Sequence, residues 1–129
     1  MEDRYLFKAK RLDTHDWILG FLSMHKTGKY FIRPICGSAS SSEEVEKNTI
    51  CQCTGLKDKN GKLIWENDVV RVTINSGSTI CRCAFSDTVD HFQLWQKYTI
   101  KSTSTVLNLG NYECEVIGNK FDNPELLRK

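Results

Sequence analysis

Apolar and polar residues alternate with a period of two along most of this chain, the repeat of a half-buried strand rather than of a helix. In Tyr5-Leu6-Phe7-Lys8-Ala9-Lys10-Arg11, the residues Tyr5, Phe7 and Ala9 share one face, and Lys8 and Lys10 share the other. Asp13-Thr14-His15-Asp16 has turn chemistry. Trp17 to Met24 reads as a second strand, with Trp17, Leu19 and Phe21 on one face. A turn at Lys26-Thr27-Gly28 leads into Tyr30-Phe31-Ile32-Arg33, so residues 1–36 read as a three-stranded meander. The small residues from Gly37 to Ser42 mark a flexible loop over 37–48 and the best site for a proteolytic nick. Glu43 to Lys47 is too short and polar to be read as a helix.

The second half, 49–129, is again strand-like. Thr49–Thr54, Val69–Ile74, Thr79–Phe85, His91–Tyr98 and Glu113–Gly118 are the expected strands, and Leu63–Trp65 is a short apolar piece. Asn60-Gly61 centres a tight turn suited to positive φ. Val69 to Ile74 is rich in branched residues. Lys101 to Thr105 is polar. Asn123 followed by Pro124 signals the start of a short C-terminal helical turn, with Asn123 as its N-cap. Short strands separated by regular turn signals predict a mainly β fold, a barrel or a sandwich, in one domain of 129 residues.

At this length a chain needs neither metal nor disulfide to bury a core. Hydrophobic residues make up 40% and charged residues 26%, a globular balance. A formal charge of +2 sets no strong field, so charge alone assigns neither nucleic acid nor a membrane as partner. No apolar run is long enough for a membrane span, and the acidic opening Met1-Glu2-Asp3 is unlike a secretory signal. The expectation is a cytoplasmic protein with reduced thiols.

The six cysteines include two C-x-C pairs, Cys51/Cys53 and Cys81/Cys83. Cysteines two apart on a strand share a face, and two such pairs on neighbouring strands would offer four thiolates to zinc. Zinc knuckles usually leave two to four residues between ligands, and free cysteine is a common core residue. The pairs are read as core filler, with no metal site and no cofactor assigned. His15, His25 and His91 are read as surface residues. Trp17, Trp65 and Trp95 are read mostly as core anchors, against a binding-groove role. The lysines of Lys57-Asp58-Lys59-Asn60-Gly61-Lys62 have no aromatic residues between them, as a nucleic-acid reader would want, and are read as a solvated hairpin tip. Glu66 and Asp68 could be paired acids but sit where turn residues belong. No phosphate loop, nucleophile elbow or zinc-protease motif is present.

Three segments together resemble the YopX family of phage and prophage proteins. They are Phe7 to Arg11 with Trp17 and Gly20; Thr54-Gly55-Leu56-Lys57-Asp58-Lys59-Asn60-Gly61-Lys62 with Glu66-Asn67-Asp68-Val69-Val70; and Val116-Ile117-Gly118-Asn119 with Asn123-Pro124-Glu125-Leu126-Leu127. The resemblance implies a mainly β fold with an SH3-like barrel or roll in the C-terminal half and a mobile-element origin. It implies no established activity and no catalytic residues. Three positions depart from the family pattern: Asn67 and Ala9 replace glycines, and Cys53 an aromatic residue. Asparagine tolerates a left-handed turn, so the local geometry can survive at Asn67.

The motif residues Thr54, Gly55, Asp58, Asn60, Gly61, Glu66, Asp68, Gly118, Asn119, Asn123 and Pro124 are therefore expected to serve structure, since turn and strand residues set register. The expected function is a non-enzymatic module that binds a protein partner. The alternative is a nucleic-acid-binding small barrel. A homo-oligomer is left open, and a bacterial host cytoplasm is the expected location.

Overall fold

The computed structural model describes residues 5–35, 41–75, 77–85, 98–101 and 106–127. The chain forms two compact units, Met1–Gly55 and Leu56–Lys129. Among the described residues it is mainly β, with eleven strands and a few short 3-10 turns.

The first unit contains β1 (Phe7–Lys10), β2 (Trp17–Met24), β3 (Tyr30–Pro34) and β4 (Glu43–Val45), and the chain leaves it along β5 (Cys51–Lys57). These strands lie antiparallel in the order β4-β3-β2-β1-β5. The sheet curls. Beyond its pairing with β3, β4 meets the end of β1 through a bridge between Arg11 and Val45, flanked by bonds from Leu12 N–H to Glu44 O and Glu46 N–H to Lys10 O. Curling puts one sheet face inside. Ala9, Ile32 and Val45 are buried there, with Phe7, Ile18, Leu22, Tyr30 and Ile50 packed against them. A 3-10 turn, Lys47–Thr49, is latched to β1 by Thr49, whose hydroxyl accepts from Lys10 N–H (2.9 Å) and donates to Glu46 O (2.8 Å).

Three residues of the polar stretch read as loop, Glu43–Val45, are strand β4. Period alone could not find it, because a three-residue edge strand is defined by its partner. Val45 is buried, and the Arg11 guanidinium binds Asp13 and Glu43 at 3.1 and 3.2 Å, tying the strand to the β1–β2 turn. Most of the small-residue loop lies outside the described residues. Gly20 allows β2 and β3 to come close: a Cβ there would lie 1.9 Å from the Arg33 carbonyl oxygen.

The second unit begins in the last residues of β5, turns through a hairpin into β6 (Leu63–Trp65) and continues as β7 (Asp68–Ile74), β8 (Gly77–Phe85), β9 (Tyr98–Lys101), β10 (Val106–Asn108) and β11 (Cys114–Asn119). The last five form an antiparallel sheet in the order β10-β9-β8-β7-β11. Val70 pairs with Cys81 and with Val116, Val72 with Cys114, and Cys83 with Ile100. The core of this unit is Ile64, Val70, Val72, Cys81, Cys83, Ile100, Leu109 and Cys114. A bulge in β11 between Val116 and Gly118 shifts its register against β7.

One expectation needs correction. Closing a barrel requires the edge strands to pair, and among the described residues β10 and β11 are not neighbours, so this sheet is open. The strand expected over His91–Tyr98 falls largely outside the described residues. The strand present, β9, begins at Tyr98 and takes in Thr99 to Lys101. At the C-terminus a 3-10 turn covers Pro124–Leu127. No helix among the described residues is long and apolar enough to cross a membrane.

Candidate functional site

The residues that make the sequence distinctive sit at turns and strand edges of the second unit. Asp58 is buried, with 7% of its surface exposed. Its Oδ1 accepts from the N–H groups of Asn60 and Lys62, and its Oδ2 from that of Val116, all at 2.9 Å. Lys59 N–H donates to Cys114 O at 2.9 Å. The hairpin tip thereby covers the edge of β11 that β7 leaves unpaired, which blunts an edge open to aggregation. The loop is a three-residue hairpin turn: Gly61 N–H donates to Asp58 O, and Asp58 N–H to Lys62 O. Positive φ falls on Gly61 (+83°) and not on Asn60, so only the glycine of this dipeptide is in the left-handed region.

Burial alone would raise the pKa of Asp58. The three amide bonds and the nearby Lys62 outweigh burial and hold it below the usual carboxylate range. A carboxylate stabilised in this way is a poor general base at neutral pH.

Asn67 takes φ 73° at the position where the family pattern has glycine. Its N–H donates to Cys83 O (2.8 Å), its carbonyl accepts from Lys120 N–H (3.0 Å), and its Oδ1 accepts from Arg82 Nη1 (3.0 Å). Asp68 is buried and accepts from Trp65 N–H at 2.9 Å, which closes the turn between β6 and β7. Glu66, half-buried, lies in the same turn. At the far end, Asn119 Oδ1 accepts from Phe121 and Asp122 N–H. The side chain of Asn123, expected to cap the helical turn, accepts instead from Asn119 N–H at 3.2 Å. A Cβ on Gly118 would sit 2.5 Å from that Asn123 oxygen and 3.0 Å from Leu126, so glycine lets the Pro124–Leu127 turn lie against β11. Thr54 and Gly55 lie in β5, with Gly55 at φ 80°.

The five described cysteines are buried thiols; Cys36 lies outside the described residues. The two C-x-C pairs are not on neighbouring strands: β5 is flanked by β1 and β6, and β8 by β7 and β9. Among the described residues no three His, Cys, Asp or Glu side chains gather to hold a metal ion. Burial, then the nearby carboxylates of Asp68 and Glu66, push the Cys83 thiol far above its ordinary pKa. Burial, then Asp58 and Glu113, raise that of Cys114. Such thiols stay protonated, which disfavours both nucleophilic attack and thiolate ligation. His15 is exposed, at φ 65°, with Nδ1 3.5 Å from Glu46. His25 is exposed and tilts against Phe31, ring centres 5.8 Å apart. His91 lies outside the described residues.

Trp65 is buried, Trp95 lies outside the described residues, and Trp17 is half-buried on the outer face of the first sheet. The register fixes that face. Directly paired residues of antiparallel strands point the same way. Lys10 pairs with Trp17, Lys8 with Leu19, Phe21 with Arg33 and Ser23 with Phe31. Alternation then puts all eight side chains on the face opposite Ala9 and Ile32. Leu19 is 39% exposed and Arg33 is exposed, while Trp17, Phe21 and Phe31 are half-buried. The Lys8 and Lys10 ammonium groups lie 4.8 and 5.5 Å from the centre of the Trp17 ring. Strands β1, β2 and β3 contain no Asp or Glu. Alternation along each strand puts Trp17, Leu19 and Phe21 on one face of β2 and Lys8 and Lys10 on one face of β1. Joining the two needs the strand register.

The described residues define a mainly β protein of two antiparallel sheets whose distinctive polar residues clasp turns and edges. The chain belongs to the YopX family: the family described as YopX protein matches residues 21–128, nearly the whole chain. That span holds the central and C-terminal motifs, whereas Phe7–Arg11, Trp17 and Gly20 precede it. Comparison with curated proteins gives no match.

Proposed function

We propose that this chain is a non-enzymatic binding module and that the outer face of β1–β3 is its contact surface. The observation that carries the reading is one juxtaposition: Trp17, Leu19, Phe21 and Phe31 share an acid-free three-strand face with Lys8, Lys10 and Arg33. Half-buried aromatics with cations beside them are what interaction surfaces concentrate. The motif acids support the same reading from the other side. Asp58 and Asp68 spend their carboxylates on backbone amides, a structural use.

A protein partner suits the apolar residues of the face. The lysines flanking Trp17 favour nucleic acid as the second reading. The wider expectations belong to this proposal too: an SH3-like roll built on the second sheet, a phage or prophage origin, and action in the cytoplasm of a bacterial host. The test is capture from bacterial lysate by immobilised wild type and by a Leu19→Glu/Phe21→Ser variant. The reading predicts that bound macromolecules, protein or nucleic acid, are lost with the variant. Identical captured sets would contradict it.

A further inference from the structure

We infer that Asn60 is a site of spontaneous deamidation, gated by the hairpin that holds it. Deamidation needs the amide nitrogen of the next residue to reach the side-chain carbonyl carbon of an asparagine. A Cβ on that next residue hinders the approach, and glycine has none. Asn60-Gly61 is the only Asn-Gly step in the chain, and Asn60 is exposed at the tip between β5 and β6. Other asparagines are placed less well. The side-chain oxygen of Asn67 accepts from Arg82, and that of Asn119 from the Phe121 and Asp122 amides. Asn123 precedes Pro124, whose nitrogen has no proton to lose. The only co-reactant is water. Hydroxide removes the Gly61 N–H proton, and the nitrogen attacks Cγ of Asn60. The Cγ–Nδ2 bond breaks, and the side-chain nitrogen leaves as ammonia with a proton from water. Water then opens the succinimide ring at either carbonyl, giving aspartate or isoaspartate. Overall, an amide and a water become a carboxylate and an ammonium ion.

The fold restrains this reaction at its first proton. Gly61 N–H donates to Asp58 O at 3.0 Å, and Gly61 is held at φ 83°. On either side, the Asn60 and Lys62 amides donate to Asp58 Oδ1 at 2.9 Å. A proton bound within the turn is lost from the opened turn, so the rate is the population of opened hairpin times the rate in a free chain. Opening means releasing Asp58, which also holds the Val116 amide through Oδ2. Isoaspartate then prevents proper closing, because it lengthens the main chain by one carbon inside a three-residue turn whose bonds span Asp58 to Lys62. The lengthened hairpin lets go of Val116 N–H and Cys114 O, and the edge of β11 is uncovered for another strand. The change is one-way, since the ammonia is lost.

The experiment follows deamidation by mass, as a gain of about one dalton assigned to a peptide and resolved into aspartate and isoaspartate. Wild type is incubated at mildly alkaline pH, both folded and in urea above its unfolding midpoint. In urea, Asn60 is the first asparagine modified, at least about ten-fold faster than in the folded protein. Asp58→Ala, shown to be folded by circular dichroism, speeds modification at least about five-fold. Ile32→Val, in the core of the first unit, leaves the rate within about two-fold, which separates opening of the hairpin from unfolding elsewhere. Should Asp58→Ala fail to fold, the folded and urea rates of wild type decide the gate without it. The isoaspartate form, separated by its added charge, exchanges its Val116 amide proton at least about ten-fold faster than unmodified protein. Asn60→Asp carries the same charge on a main chain of normal length and keeps that protection within about three-fold. First modification at another asparagine overturns the inference, as do equal rates folded and in urea. Unchanged Val116 exchange in the isoaspartate form overturns the release of β11.

Discussion

At the scale of single residues, the chain is decided by positions where only one side-chain size or backbone conformation fits. Gly20 is the sharpest. Its neighbour across the β2–β3 ladder is close enough that a Cβ would overlap the Arg33 carbonyl oxygen at 1.9 Å. No rotamer relieves this, because backbone meets backbone. Gly20→Ala must push β3 off β2, and we expect a loss of about 3 kcal/mol or failure to fold, read by urea unfolding. The W-x-x-G spacing was visible in the sequence, but its reason was not. A close approach of two strands is a property of register, which one strand does not encode. Asn67 is the opposite case. Its identity announced a left-handed turn, and φ 73° is what the turn needs. The cysteines stand between these cases. Their burial was legible from their chemistry, while the allocation of the two C-x-C pairs to separate sheets became visible only in the fold.

At the scale of elements, strands with clear alternation were legible: β2 spans Trp17–Met24, as the pattern proposed, and β7 differs only by starting at Asp68. The three-residue strands β4 and β10 were missed because too few residues exist for a period to show, and their partners decide their state. The hairpin between β5 and β6 joins the residue scale to this one. Asp58 closes its own turn and, through Val116 N–H, fastens the turn to β11. Asp58→Ala leaves three amides without their acceptor and should cost about 3 kcal/mol, seen as a lower urea midpoint. The pH dependence follows from the sign of the shift. The folded pKa of Asp58 lies below the unfolded value of about 3.9, so its contribution is complete above that value and is lost as pH falls through the folded one. Wild-type stability should therefore drop across the acid limb below about pH 4, and Asp58→Asn should flatten that drop. An unchanged acid limb in the Asn variant would contradict the clasp.

At the scale of the whole molecule, two units divide the labour. The second spends its distinctive polar residues on turns and on covering the edge of β11, all within its own fold. The first curls its sheet so that one face makes a core and the other displays aromatic and basic side chains together. The candidate site was thus half legible. Each strand showed its alternation, but the pairing that sets Lys8 and Lys10 beside Trp17 and Leu19 is a product of the meander. The most recognisable motif pointed elsewhere, to residues that hold the second unit in shape. The measurement that separates these roles most directly is an amide and indole NMR titration with the macromolecule that the wild type captures from bacterial lysate. The account predicts shifts at Lys8, Lys10, the Trp17 indole, Leu19, Phe21, Phe31 and Arg33, with Asp58, Asn67 and Asn119 unmoved. Shifts centred on Asp58, Asn67 and Asn119, or none at all, would contradict it.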